Sequence, residues 1–200
     1  MPTGPAKVAI LLNGPPRAGK DTAVEALAPL LGEEAEVLKF TQPVKDYTHR
    51  QAGLDCRHDA YEEQKDAPLR EFGGRTPRQA YIETSARLKA EHGPDIVCRM
   101  FVEAIKNSPA RIILNPDCGD DMEAEHVAEA LGYDSVLVVR IHRDGHDFSQ
   151  DCRTWVRGTR FATVDVHNED GRRREYESEV VAHALAFLER TGLSLRPYAA

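Results

Sequence analysis

Gly14-Pro15-Pro16-Arg17-Ala18-Gly19-Lys20-Asp21-Thr22 stands between an apolar run at 7–12 and a stretch from Asp21 to Leu31 in which Ala23, Val24, Leu27, Leu30 and Leu31 keep helical spacing. Gly14, Gly19 and Lys20 give the spacing G-x-x-x-x-G-K of a phosphate-binding loop, with a strand expected before it and a helix after it. In that setting the backbone N–H groups of Gly14, Arg17, Ala18 and Gly19 wrap a polyphosphate, and the helix amino terminus adds its partial positive charge. Lys20 reaches the outer phosphates as a point charge. A glycine-proline turn with a chance lysine would need neither the strand nor the helix. The usual pattern has Ser or Thr directly after the lysine, where its hydroxyl meets magnesium. Here Asp21 holds that place and Thr22 follows. A carboxylate is a hard oxygen ligand suited to Mg2+; alternatively Asp21 caps the first helical turn and Thr22 contacts a phosphate.

Outward from the loop, strands and helices alternate. Val37-Leu38-Lys39-Phe40 reads as a second strand, and Pro43 opens a helix to about Ala52. Residues 55–75 are charged and irregular, compatible with a helix and a mobile connection through Glu71–Arg75. Thr76 and Pro77 restart a helix as N-cap and first helical residue, and it runs to about Gly93. Another helix follows from Pro94-Asp95. Residues 110–115 and 135–141 read as strands three and four, with a helix from Asp121 to Leu131 between them. Polar residues 142–160 read as a loop or lid, 161–166 as strand five, and Glu175 to Arg190 as a closing helix. Continuous apolar strands of this kind belong to a parallel sheet covered on both faces. The expected fold is α/β: a mostly parallel five-stranded sheet flanked by helices, one domain over 1–200, with a helical substrate-binding region at about 40–107 and a lid at about 142–160.

Composition narrows the function. The chain has 200 residues, 41% hydrophobic and 30% charged, which argues against global disorder. No apolar stretch approaches the length needed to span a bilayer. The start lacks a basic region followed by an apolar core, so a cytoplasmic protein is expected. Cys56, Cys98, Cys118 and Cys152 form no CxxC pair. The formal net charge of -7 disfavours duplex DNA as a partner but leaves room for a local basic pocket holding a small anion.

With these segments in place, the chain resembles the deoxynucleoside monophosphate kinases of bacteriophages, a P-loop kinase family. The resemblance runs from about residue 7 to 190. It rests on Gly19-Lys20-Asp21-Thr22, on Phe40-Thr41-Gln42-Pro43-Val44-Lys45, on Thr76-Pro77-Arg78-Gln79 and on Gly93-Pro94-Asp95-Ile96-Val97. It continues through Asn115 and Asp117 with Glu123-Ala124-Glu125, and through Asp165 to Gly171. Gly119 stands where that family has an arginine, so the arginine's role is empty or supplied elsewhere. The resemblance implies ATP as phosphoryl donor, Mg2+, a deoxynucleoside monophosphate acceptor, a homodimer and, for a phage-encoded protein, the host cytoplasm.

Phosphoryl transfer asks a protein mainly to position two anions and neutralise spreading charge. Lys20 is the first candidate. Asp117, directly after strand three, could hold a magnesium water or orient the acceptor phosphate; its plainer role is an N-cap for the helix beginning near Asp121. Arg78 is the candidate clamp for the acceptor phosphate, with Thr41, Lys45 and Arg99 assisting; each alone also suits a solvated surface. Arg140, Arg143, Arg153 and Arg157 bracket the lid, and Arg143 is the choice to close over the donor phosphates. Asn168 either approaches the adenine of ATP or serves an ordinary turn. His142, His146 and Cys152 match no standard zinc spacing. Trp155 packs the lid or stacks on a base, and Arg172-Arg173-Arg174 reads as a solvated helix start. Two other readings stay open: a kinase acting on a hydroxymethylated base in phage DNA, and a non-catalytic nucleotide-binding switch, which lacks an N-K-x-D sequence.

Overall fold

The structure, a computed structural model, describes residues 7–55, 61 and 63–193. Its centre is β1 (Val8–Asn13), whose six residues are all buried. A strand apolar on both faces must be covered on both, and successive side chains deliver that cover alternately. Val8, Ile10 and Leu12 face a core shared with Leu27 and Leu31 of α1 (Lys20–Leu31) and with Tyr176, Val180, Ala184 and Phe187 of the final helix, α6 (Arg173–Arg190). α5 (Asp121–Leu131) buries Ala124, Val127 and Ala128.

The sheet order is β2-β3-β1-β4-β5, formed by β2 (Ala35–Val37), β3 (Ile112–Asn115), β4 (Val136–His142) and β5 (Ala162–His167) around β1. Every pair is parallel, with Leu11 opposite Asn115, Asn13 opposite Arg140 and His142 opposite His167. All carboxyl ends therefore reach one edge, where open α/β sheets bind ligands beside the strand at which the order turns. This is an α/β fold, a five-stranded parallel sheet flanked by helices. Strand two lies earlier than the apolar run Val37–Phe40 suggests. As an edge strand it needs no continuous apolar run, and Ala35, Glu36 and Val37 pair with Ile112, Ile113 and Leu114.

The chain divides into two compact units, one made of residues up to Lys39 and from Asn107 onward, the other of Phe40–Lys106. The sheet belongs to the first. The second contains α2 (Gln42–Gln51), α3 (Pro77–His92) and most of α4 (Ile96–Asn107). α3 begins at a full capping box: Thr76 accepts the Gln79 N–H at 3.1 Å while the Gln79 side chain accepts the Thr76 N–H at 2.9 Å. Inside this unit His49 is fully buried, 2.8 Å from the Tyr81 hydroxyl and packed against the rings of Tyr61 and Phe72.

Residues 69–75 form a closed turn rather than a mobile connection. Phe72 is buried, Leu69 N–H donates to the Arg75 carbonyl at 3.0 Å, and Arg75 Nε donates to the Phe72 carbonyl at 2.8 Å. The helix expected within residues 55–75 falls partly on residues 56–60 and 62, outside the described residues. Among the described residues no helix is long and apolar enough to cross a membrane.

Candidate phosphate-binding site

The loop between β1 and α1 is shaped by two glycines. A Cβ on Gly14 would stand 2.7 Å from the Ile141 carbonyl oxygen, so only glycine lets the loop leave β1 this close to β4. Gly19 has φ 111°, in the left-handed region that glycine adopts without strain, and is the N-cap of α1. Arg17 is the single non-glycine residue with positive φ, 63°, among the described residues. Such a conformation in a loop turns successive N–H groups to one side and builds an anion-binding concavity.

Three residues from the far end of the chain fasten the back of this loop. Asn168 donates its amide to the Ala18 carbonyl at 2.8 Å, Tyr176 its hydroxyl to the Gly19 carbonyl at 2.8 Å, and Arg143 its guanidinium to the Arg17 carbonyl at 3.1 Å. Arg143 also pairs with Asp170 at 2.5 Å. The carbonyls of Arg17, Ala18 and Gly19 are thus taken up behind the loop, while the Ala18 N–H donates within it to the Pro15 carbonyl at 3.2 Å. Asn168 and Arg143, expected at the adenine and over the donor phosphates, here hold the loop itself.

Lys20, the first residue of α1, folds back so that Nζ donates to the carbonyls of Gly14 and Pro15, each at 2.7 Å. Burial first, and then the guanidinium of Arg153, push its ammonium from the ordinary 10.5 down to about 8, while Asp21, Asp151 and Asp117 pull the other way. An ammonium whose charge is disfavoured where it sits gains most from an arriving anion.

The carboxylates near it are defined by their neighbours. Asp117 accepts the Asn115 amide at 2.8 Å, and its own N–H returns to the Asn115 side chain at 3.2 Å. It does not cap α5: the N-cap is Asp120, which accepts the Glu123 N–H at 2.9 Å. Asp21 lies exposed in the first turn of α1, whose N-cap is Gly19, and Thr22 follows half-buried. Two hard oxygen donors suit Mg2+, which takes one or two carboxylates and completes its shell with phosphate and water oxygens. Among the described residues no three His, Cys, Asp or Glu side chains cluster as a metal site, and His142, His146 and Cys152 do not. Instead His142 stacks on Trp155, ring centres 4.3 Å apart, and pairs with Asp165, which Arg140 also binds.

Asn13 fastens this side of the site. Fully buried at the end of β1, it donates to the carbonyls of Cys118 at 2.9 Å and Thr154 at 3.0 Å and accepts the Val156 N–H at 3.0 Å. All its hydrogen-bonding capacity but one lone pair is used, as a buried amide requires. Asp121 accepts the N–H groups of Arg157 at 2.6 Å and Gly158 at 2.8 Å. Of the span read as a lid, residues 154–158 are therefore anchored.

The remaining candidates lie in the unit Phe40–Lys106. The Thr41 carbonyl receives the Lys45 N–H at 3.1 Å as α2 begins, and Lys45 Nζ sits 5.5 Å from the centre of the Tyr81 ring. Arg78 pairs with Asp66 at 2.7 Å and Arg99 with Asp95 at 3.0 Å, all exposed or nearly so. These cations lean on different partners.

No family model matches the chain, and no curated protein does. Among solved structures it is similar to an unliganded sugar kinase from Janibacter sp. HTCC2649, at 13% identity and a TM-score of 0.45, over 92% of this chain and 95% of that one. It is also similar to a Thermus thermophilus protein at 17% identity and a TM-score of 0.42, over 90% of this chain and 99% of that one. Likeness at this level does not bear on activity.

Proposed function

We propose that this protein is an ATP-dependent kinase that moves the γ-phosphoryl group to a deoxynucleoside monophosphate. The observation behind this reading is Lys20: a part-buried ammonium, lowered in proton affinity, folded onto the carbonyls of a glycine-bounded loop at the amino terminus of a helix. Such a loop suits a bound anion. The loop N–H groups and Lys20 bind and orient the donor phosphates. Lys20 then stabilises the charge that spreads over the moving group. Asp21 and Asp117 would hold Mg2+, which would supply further charge neutralisation. Arg78, at the second position of α3, offers the acceptor phosphate a guanidinium fork and the helix amino terminus together. A single monophosphate needs only one or two such groups, which suits an acidic chain better than a phosphate lattice does.

The test is turnover of ATP with each deoxynucleoside monophosphate in turn, and with duplex DNA, by wild type and by Lys20→Ala. Transfer to at least one free monophosphate is expected. The lysine variant should fold normally yet lose about 3 kcal/mol or more of barrier lowering, over a hundredfold in rate. Near-normal turnover by that variant would refute the catalytic loop. Labelled phosphate appearing in DNA alone would replace the acceptor with a base in the polymer.

A further inference from the structure

Between β4 and β5 lies an ion pair that this reading leaves without a role. Asp151 Oδ1 accepts the backbone N–H and the Nε of Arg153, both at 3.0 Å, and Oδ2 accepts Nη2 at 2.5 Å. The carboxylate is well enclosed, its side chain 12% exposed against 30% for Arg153. The arginine's hydrogen bonds hold the Asp151 carboxyl down at about 2.

The arginine stem lies flat on Gly119. A Cβ there would stand 2.7 Å from Arg153 Cγ and 3.1 Å from Cδ. The Gly119 carbonyl accepts the Thr154 N–H at 2.7 Å, and its own N–H goes to Glu123 at 2.6 Å. Thr154 in turn is held by Asn13, the residue before the loop glycine whose carbonyl holds Lys20. Asp151 and Arg153 both lie within electrostatic reach of Lys20 and act on it in opposite directions. Asp151 thus pairs with one cation, Arg153, within electrostatic reach of a second, Lys20. A guanidinium fork that fits a carboxylate side-on fits a phosphate equally well.

We propose that Asp151 is an internal stand-in for a phosphate, which holds the Arg153 fork over Gly119 and yields it to the outer phosphate of a bound polyphosphate. This rests on reading the loop as a polyphosphate cradle. The exchange forms no covalent bond: one charge-assisted pair replaces another. Gly119 leaves the space for the Arg153 stem.

The two partners should then act with opposite signs, which a merely structural ion pair would not do. Trp155, the chain's single tryptophan, lies two residues beyond Arg153 and reports binding by its fluorescence. Titration with inorganic tripolyphosphate, with no acceptor present, is the experiment. Asp151→Asn keeps an oxygen for the Arg153 N–H but removes the competing charge, and should bind several-fold more tightly. Arg153→Lys keeps stem and charge but loses the fork, and should bind about tenfold more weakly. Gly119→Ala, which displaces the stem, should follow Arg153→Lys; should it fail to fold, the other two variants decide. Weaker binding by Asp151→Asn, or unchanged binding by Arg153→Lys while Lys20→Ala abolishes it, overturns the exchange and leaves the cradle standing. No binding by the wild type overturns the cradle and the exchange together.

Discussion

The carboxamide of Asn168 occupies the space that any side chain at Gly19 would need, and from there it donates to the Ala18 carbonyl at 2.8 Å. Glycine at 19 is thus required twice, by its φ of 111° and by its neighbour. Gly19→Ala should destabilise by about 2–4 kcal/mol, the sum of backbone strain and a steric clash. In an Asn168→Ala background the clash is absent and only strain remains, about 1–2 kcal/mol. Urea unfolding of both singles and the double measures the coupling. Strict additivity would show that Asn168 does not close that space.

Lys20 should make polyphosphate binding depend on pH. Its ammonium, at about 8 in the free protein, is drawn back toward 10.5 by a bound anion. Affinity should therefore be greatest below pH 8 and fall as pH rises beyond it, approaching tenfold per unit. For the free protein the sign is the reverse: between about 8 and 10.5 the unfolded chain holds more protons than the folded one, so folding stability rises with pH across that window. Lys20→Arg, charged throughout, should flatten the binding curve. Tripolyphosphate titrations from pH 7 to 9.5 test this. A wild-type curve as flat as that of the arginine variant would sink it.

Arg78 pairs with Asp66 in the open, where an ion pair contributes little to stability. Arg78→Lys should leave the thermal midpoint nearly unchanged yet raise KM for the monophosphate about tenfold, with KM for ATP little altered, because the fork is lost while the charge stays. Equal changes in both KM values would remove Arg78 from the acceptor side.

How far the sequence reaches depends on what kind of signal a residue leaves. β1 and the loop after it were legible because an apolar strand, two glycines and a lysine at fixed spacing each answer a separate physical demand. Thr76 and Pro77 announced their helix start because capping is local chemistry; the structure adds Gln79 as the other half of the capping box. β2 was displaced, since an edge strand with half its surface in water carries no apolar run. The sequence offers Asp117 as the cap for α5; the structure gives that place to Asp120, whose backbone is extended and whose side chain accepts the Glu123 N–H.

Asn13, Asp151 and Tyr176 left weaker traces. Asn13 reads as the opening of a turn, although it is fully buried. Asp151 and Arg153, two apart in a polar loop, show no periodicity. Tyr176 does share helical spacing with Val180, Ala184 and Phe187, a signal of its burial that the reading of 175–190 as a helix did not use. The arginine run 172–174 is the solvated helix start it reads as: all three are exposed, and Arg173 bridges Glu25 and Glu177 at the surface.

The bonds from Asn13 and Asp121 divide the β4–β5 connection into two materials. From Asp144 to Gln150 the chain is a tether: Gly145 has open space around it, and lengthening the loop there adds only about 0.6 kcal/mol of closure entropy per doubling. From Thr154 to Gly158 it is a splice, its backbone fixed in register against β1 or α5 at Thr154, Val156, Arg157 and Gly158. An insertion in the tether alters how far the loop reaches; one in the splice breaks four backbone bonds at once. Length variation in this connection is thus channelled to the tether, where it tunes reach without disturbing the splice.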